Sequence, residues 1–165
     1  MGSEGSLSKL HTSVQAALSG PQVEHKVHDH ADLPSPVNSP HDFAAALGYP
    51  VQRIARTLFL RSHDRQSHAV AVWSADRRLN FKAAASAAGL KRVEAASPEE
   101  LQAKTGYPRN GVSPLGLTGD IAVVVDGSLL GYETILIGGG VTAIEVELAP
   151  ADLIRVTGAT VADIS

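Results

Sequence analysis

Gly106-Tyr-Pro-Arg-Asn-Gly-Val-Ser-Pro-Leu-Gly-Leu117 cannot form a regular element. It holds three glycines and two prolines in twelve residues, which rule out a helix, and both prolines would interrupt a central strand. The run Ile121-Ala-Val-Val-Val125 that follows predicts a short buried strand. A shaped loop at the mouth of a core strand is a frequent seat for binding residues. Glycine lets backbone N–H groups approach a ligand, and proline fixes the loop's course. Two readings of Gly111-Val-Ser-Pro114 stand side by side: the floor of a small polar pocket, or a structural turn.

Working outward, Leu7, Leu10, Val14, Ala17 and Leu18 recur at helical spacing until Gly20-Pro21, which predicts a first amphipathic helix. Residues 22 to 30 alternate, predicting a strand with one wet face, and a proline-rich loop follows. Ser39-Pro40 reads as an N-cap and first-position proline, opening a helix that Gly48 ends. Ile54–Leu60 and Ala69–Trp73 predict paired strands. Asn80 caps an alanine-rich helix to Ala88, Lys91–Ala95 is a short strand, and Ser97-Pro98 opens a helix to about Thr105. Beyond the loop, strand 121–125 is followed by a turn at Asp126-Gly127 and a strand from Glu133 to Ile137. Gly138-Gly-Gly140 is a hairpin connection to strand 143–148, with Glu145 and Glu147 outward. Pro150 begins a last helix, and residues 161–164 form an edge strand. Short turns between the later strands, without a strict βαβ rhythm, predict an α+β domain with a mixed, largely antiparallel sheet wrapped by helices. Residues 1–21 are expected to pack as a helix on the body formed by 22–165, one domain in all.

The 165 residues are 44% hydrophobic and 19% charged, as in globular chains, and only 4% aromatic, so aliphatic residues must build the core. A net charge of −3 argues against nonspecific DNA binding but leaves room for a local basic patch. No cysteine is present, so thiolate nucleophiles and cysteine–zinc sites are excluded. The opening Met-Gly-Ser-Glu-Gly-Ser lacks a secretory pattern, and no apolar stretch is long enough to span a bilayer, so a cytoplasmic protein without membrane partners is expected.

Candidate chemistry is sparse. His28 and His30 share a strand face and offer two imidazoles to Zn²⁺, but a third protein ligand is missing, and solvent-facing histidines on an edge strand are the preferred reading. Ser113 does not sit in Gly-x-Ser-x-Gly, because position 115 is Leu, and no histidine follows it. Neither glycine-rich phosphate-loop pattern is present. Arg53, Arg56, Arg61, Arg65, Arg77, Arg78 and Lys82 bring seven of the 14 basic residues into a 30-residue span. They make either a phosphate-binding rim or a solvated charged surface.

Several segments in order carry a resemblance: Ile54-Ala-Arg-Thr-Leu-Phe59, Asp76-Arg-Arg-Leu-Asn-Phe-Lys82, Leu90-Lys-Arg-Val-Glu94 and Ser97-Pro-Glu-Glu-Leu101. Thr105-Gly-Tyr-Pro108, Gly111-Val-Ser-Pro-Leu-Gly116, Glu133-Thr-Ile135 and Ile144-Glu-Val-Glu-Leu-Ala-Pro-Ala-Asp-Leu153 complete it. Together they resemble the YbaK / prolyl-tRNA synthetase editing-domain family, also called the INS superfamily, over about residues 22 to 164.

The resemblance implies a freestanding mixed-sheet domain that hydrolyses the ester between a wrong amino acid, such as Ala or Cys, and the 3′ acceptor end of a tRNA, often one for proline. It implies water as nucleophile, helped by a ribose hydroxyl of the substrate, with no cofactor or metal, and a synthetase as a further partner. Gly111, Val112 and Ser113 become the backbone donors and Pro114 the residue that fixes their loop. Arg53 and Lys82 become phosphate contacts, Glu145 the partner of the substrate ammonium, and Ser39 joins the substrate-binding set. Arg56 stands at the family's strand lysine, with different reach and geometry. Asn110 stands where many relatives carry glycine. These two departures keep a noncatalytic module, binding an aminoacyl end, a nucleotide or a protein, as the alternative.

Overall fold

Strand β2 (Ala55–Ser62) and strand β3 (His68–Ser74) form the expected antiparallel hairpin, which is the centre of the larger of two sheets. The structure is a computed structural model that describes residues 7–165; the opening hexapeptide lies outside them. β4 (Val93–Ala95) pairs antiparallel with β2, β5 (Ala122–Asp126) parallel with β3, and β8 (Thr160–Ala162) parallel with β5. The strand order is therefore β4-β2-β3-β5-β8. The smaller sheet is antiparallel throughout, with β7 (Ile144–Leu148) between β1 (His25–Asp29) and β6 (Ile135–Gly138). A bridge between Ile54 and Leu136 joins the two sheets.

The turn after β5 does not fold back to pair with the next strand. Gly127–Gly131 is a 3₁₀ stretch that carries the chain into the smaller sheet, and β5 takes β8 as its neighbour. The triple glycine does connect the antiparallel pair β6 and β7.

β3 is buried at every position. Its Val70 and Val72 face a core shared with helix α1 (Thr12–Ser19), Tyr107, Leu115 and the smaller sheet. Ala71 and Trp73 face the other way, with Leu79 and Ala84, under α3 (Phe81–Ala87). Each fully buried valine is worth roughly 1.5–3 kcal/mol, so alternating small and branched residues suffice where aromatics are scarce.

Helix boundaries follow local chemistry. Ser39 Oγ accepts from the Asp42 amide at 3.1 Å to open α2 (Pro40–Leu47), and Gly48 closes it in the left-handed region. Asn80 and Ser97 cap α3 and α4 (Pro98–Thr105) in the same way. α5 (Pro150–Thr157) starts on its proline. Helix α1 covers only the later part of the predicted periodicity: His11 accepts from the Ser13 amide as its N-cap, and Leu10 is buried from the turn before it.

Two faces predicted to be wet are covered. α2 and the turn after it lie over the face of β1 and β7 that carries His28, Glu145 and Glu147. Phe43 meets the rings of His28 and His30 at 6.2 and 4.7 Å. Glu147 is only 6% exposed. His28 is thus on an edge strand and His30 at the turn that follows it, and both rings are largely covered.

Candidate active site

Five separate segments line a cavity of about 300 Å³. The start of β2 brings Arg56 and Thr57, the glycine-proline loop brings Arg109, Asn110, Gly111 and Val112, and the β6–β7 hairpin brings Gly138 and Glu145; His30 and Trp73 complete it. Backbone contact places the loop against the hairpin. A Cβ on Gly138 would lie 2.1 Å from the Val112 carbonyl oxygen, and one on Gly111 would lie 2.6 Å from the Val141 carbonyl carbon. Only glycine permits both approaches. The triple glycine is therefore a turn and also the wall on which the loop rests.

The loop's hydrogen bonding sorts its donors. The Gly111 N–H donates to the Pro108 carbonyl at 3.0 Å, so its role as a free substrate donor needs correcting. The amides of Val112 and Ser113 have no backbone carbonyl partner among the described residues. Val112 lines the cavity, whereas Ser113 is fully buried behind it, its Oγ accepting from the Leu115 amide at 3.1 Å. That hydroxyl stabilises a turn. Pro114 lines a different groove, against α1 and α5. The buried Tyr107 hydroxyl donates to the Leu115 carbonyl and pins the loop's far end, and burial pushes its phenol above the usual range.

At the opposite wall, His30 Nε2 donates to Glu145 at 2.6 Å. The other imidazole of the pair, His28 Nε2, donates to Glu147 at 2.8 Å. The Nε2 of each ring is taken by a carboxylate, and among the described residues no group of three or more potential ligands is gathered.

Arg53 is not part of the cavity wall. Its Nε donates to the Thr134 carbonyl at 2.9 Å and its Nη2 to Thr134 Oγ1 and to Glu147 at 3.1 Å, with the guanidinium 3.7 Å above the Tyr49 ring. Arg61 is likewise held, by Glu94 and Glu100, so the seven basic residues do not make one rim. Ser39 is engaged as the cap of α2 and is not part of the cavity wall, and Lys82 lines a groove on α3. Of the predicted site residues, Arg56, Asn110, Gly111, Val112 and Glu145 come together.

Sequence reasoning missed His30, Arg109 and Trp73, and the buried network around Glu147. Its strongest unused signal was complementary: two histidines and two glutamates, each pair at i and i+2, on strands able to lie side by side. Burial pushes the Glu147 carboxyl up, but hydrogen bonds from Thr134, His28 and Tyr49 outweigh it and hold the group below the usual carboxylate range.

Residues 34–156 match the aminoacyl-tRNA editing domain family. The chain is 31% identical over 127 residues to the Enterococcus faecalis protein named "Putative Cys-tRNA(Pro)/Cys-tRNA(Cys) deacylase EbsC", covering 77% of each. Over 97 residues it is 32% identical to the proline–tRNA ligase of Pelobacter propionicus, spanning 59% of this chain and 17% of that enzyme. A crystal structure of a protein called a "putative trans-editing enzyme for prolyl tRNA synthetase" aligns with a TM-score of 0.78 at 28% identity, over 94% of this chain and 98% of that one. The cavity walls except His30 fall inside the matched segment. This chain belongs to the aminoacyl-tRNA editing domain family, the YbaK-like editing domains.

Proposed function

We propose that this protein hydrolyses the ester between a small amino acid and the 3′ end of a tRNA, acting in trans in the cytoplasm. The observation that carries the reading is the single cavity that gathers a cation, a loop amide and a carboxylate from distant parts of the chain. At about 300 Å³ it is at the lower end of small-molecule pockets, which suits an aminoacyl group of the size of Ala or Cys. The names of the relatives support a tRNA for proline as carrier and a prolyl-tRNA synthetase as the enzyme whose errors are cleared.

In this reading water attacks the ester carbonyl carbon, and the developing oxyanion is met by the Val112 N–H, with the Ser113 amide behind it. Donors fixed in advance stabilise such an oxyanion without a side-chain nucleophile. The carbon–oxygen bond to the ribose then breaks, the ribose oxygen takes up a proton, and free amino acid and uncharged tRNA leave. A ribose hydroxyl of the substrate orients the water, so the gain comes from positioning. Exposed Arg56 meets the terminal nucleotide's phosphate, Asn110 borders the same mouth, and Glu145, oriented by His30, takes the substrate ammonium.

A panel of mischarged tRNAs tests this. Release of a small amino acid is expected, and Gly111→Pro should abolish it by dislodging the Val112 amide. Silence of the wild type across the panel rejects hydrolysis. One feature favours a second reading, a noncatalytic module: the Gly111 amide is already used, which leaves the loop fewer donors than a full oxyanion site. Hydrolysis appearing only in Arg56→Lys would select that reading.

A further inference from the structure

Beyond the cavity, two shallow grooves continue in one direction. The first shares Arg56, Leu58 and Trp73 with the cavity and adds Arg77, Arg78 and Phe81. The second shares Phe81 with the first and adds Lys82, Lys91 and Arg92. Neither outer groove is lined by a carboxylate. Four of the seven cations outside the strip, Lys9, Arg53, Arg61 and Arg155, are ion-paired, whereas none of the seven within it, counting Arg109 at its cavity end, has an ion-pair partner among the described residues. All of them are exposed.

An otherwise acidic chain, at −3 overall, thus keeps an unneutralised positive strip that starts at its candidate active site. Phe81 stands in the middle of it, 42% exposed, although it opens a helix whose Ala84 and Ala85 are buried. Solvent exposure of a large aromatic between free cations fits stacking on a nucleobase. Seven neighbouring cations on a chain of net negative charge make the strip the face that favours a polyanion.

We propose that the strip from Arg109 to Arg92 is the track for the unpaired 3′ end of the RNA substrate, with Phe81 as its base-stacking platform. The inference rests on the aminoacyl-tRNA reading for the identity of the ligand, but its test needs no chemistry. Arg56 and Arg109 take the phosphate nearest the cavity. Arg77 and Arg78 take the next, while Lys82, Lys91 and Arg92 take those beyond Phe81. The flexible single-stranded end then enters the cavity last, threaded by phosphates and held by one stacked base.

The experiment is fluorescence anisotropy with a labelled, unesterified, single-stranded RNA ending in CCA, over a salt series. Phe81→Ala should weaken binding about tenfold, and Phe81→Trp should retain it. Arg77→Ala combined with Arg78→Ala should lower the slope of log affinity against log salt by about 0.7 for each phosphate that is no longer neutralised. On mischarged tRNA the same variants should raise KM with kcat little changed. Binding unchanged in both variants overturns the track, as does a blunt RNA duplex that competes as well as the single strand. Displacement by an acidic peptide with no RNA affinity overturns it in favour of a protein partner. Wild type that binds the RNA in this pattern yet hydrolyses nothing leaves the track standing and removes the deacylase reading alone.

Discussion

Glu145 and Glu147 project from one face of β7, one turn of the pleat apart, and their surroundings differ sharply. Glu147 is opposite Leu136 on β6 and receives hydrogen bonds from His28, Tyr49, Arg53 and Thr134. Glu145 is opposite Gly138, and His30 is the partner found for it. A carboxylate accepts about four hydrogen bonds, so Glu147 is saturated while Glu145 keeps free acceptor sites. The missing side chain at Gly138 opens the space in front of Glu145 and admits the Val112 carbonyl. Identical residues on one strand thus become a structural tie and a candidate ligand group, according to how many donors the neighbouring layers bring.

The largest expected effect breaks the tie. Glu147→Ala leaves Arg53, Tyr49 and Thr134 without their shared acceptor in a buried setting, and should cost about 3–5 kcal/mol in urea unfolding. Acid should weaken the same tie. The Glu147 carboxyl is held below its ordinary value, so its contribution is complete above the unfolded pKa, about 4.3, and is lost as pH falls through the folded one. Between about pH 5 and about pH 3, Glu147→Gln should therefore lose stability less steeply than wild type.

Gly138→Ala tests the wall on which the loop rests, opposite Glu145. Its Cβ meets a backbone oxygen that cannot rotate away, so the loop must shift, at about 1–3 kcal/mol and with loss of deacylation. Glu145→Gln sharpens the contrast from the other side. It should change unfolding by less than about 0.5 kcal/mol yet raise KM for mischarged tRNA about tenfold. The smallest effect is at Ser39→Ala, where loss of the α2 cap should cost about 1 kcal/mol and leave KM unchanged. A KM rise there would return Ser39 to the substrate-binding set.

Much of this architecture was legible in the chain. Ser39, Asn80 and Ser97 announce their helices because a cap is a bond to a residue two or three positions away. Alternation announces β7, and short apolar runs announce β2 and β3, for the same local reason. In the site, the glycine-proline loop identified its own wall, and the resemblance pointed to Arg56 and Glu145. What stayed hidden had long reach: nothing near the turn after β5 says that β5 pairs with a strand near residue 160. Arg53 looked free until Thr134 and Glu147 came beside it.

By itself the sequence determined where the capped helices begin and end, that a loop of glycines and prolines interrupts the elements, and that no thiol chemistry is available. Those properties depend on bonds and sterics within a few residues. Tertiary structure alone decided that α2 covers one face of β7, which glutamate is saturated, which loop amide borders the cavity, and which cations stay unpaired. Each of these depends on groups from about 25 to about 120 positions apart meeting in space, and burial and hydrogen bonding act only once they have met.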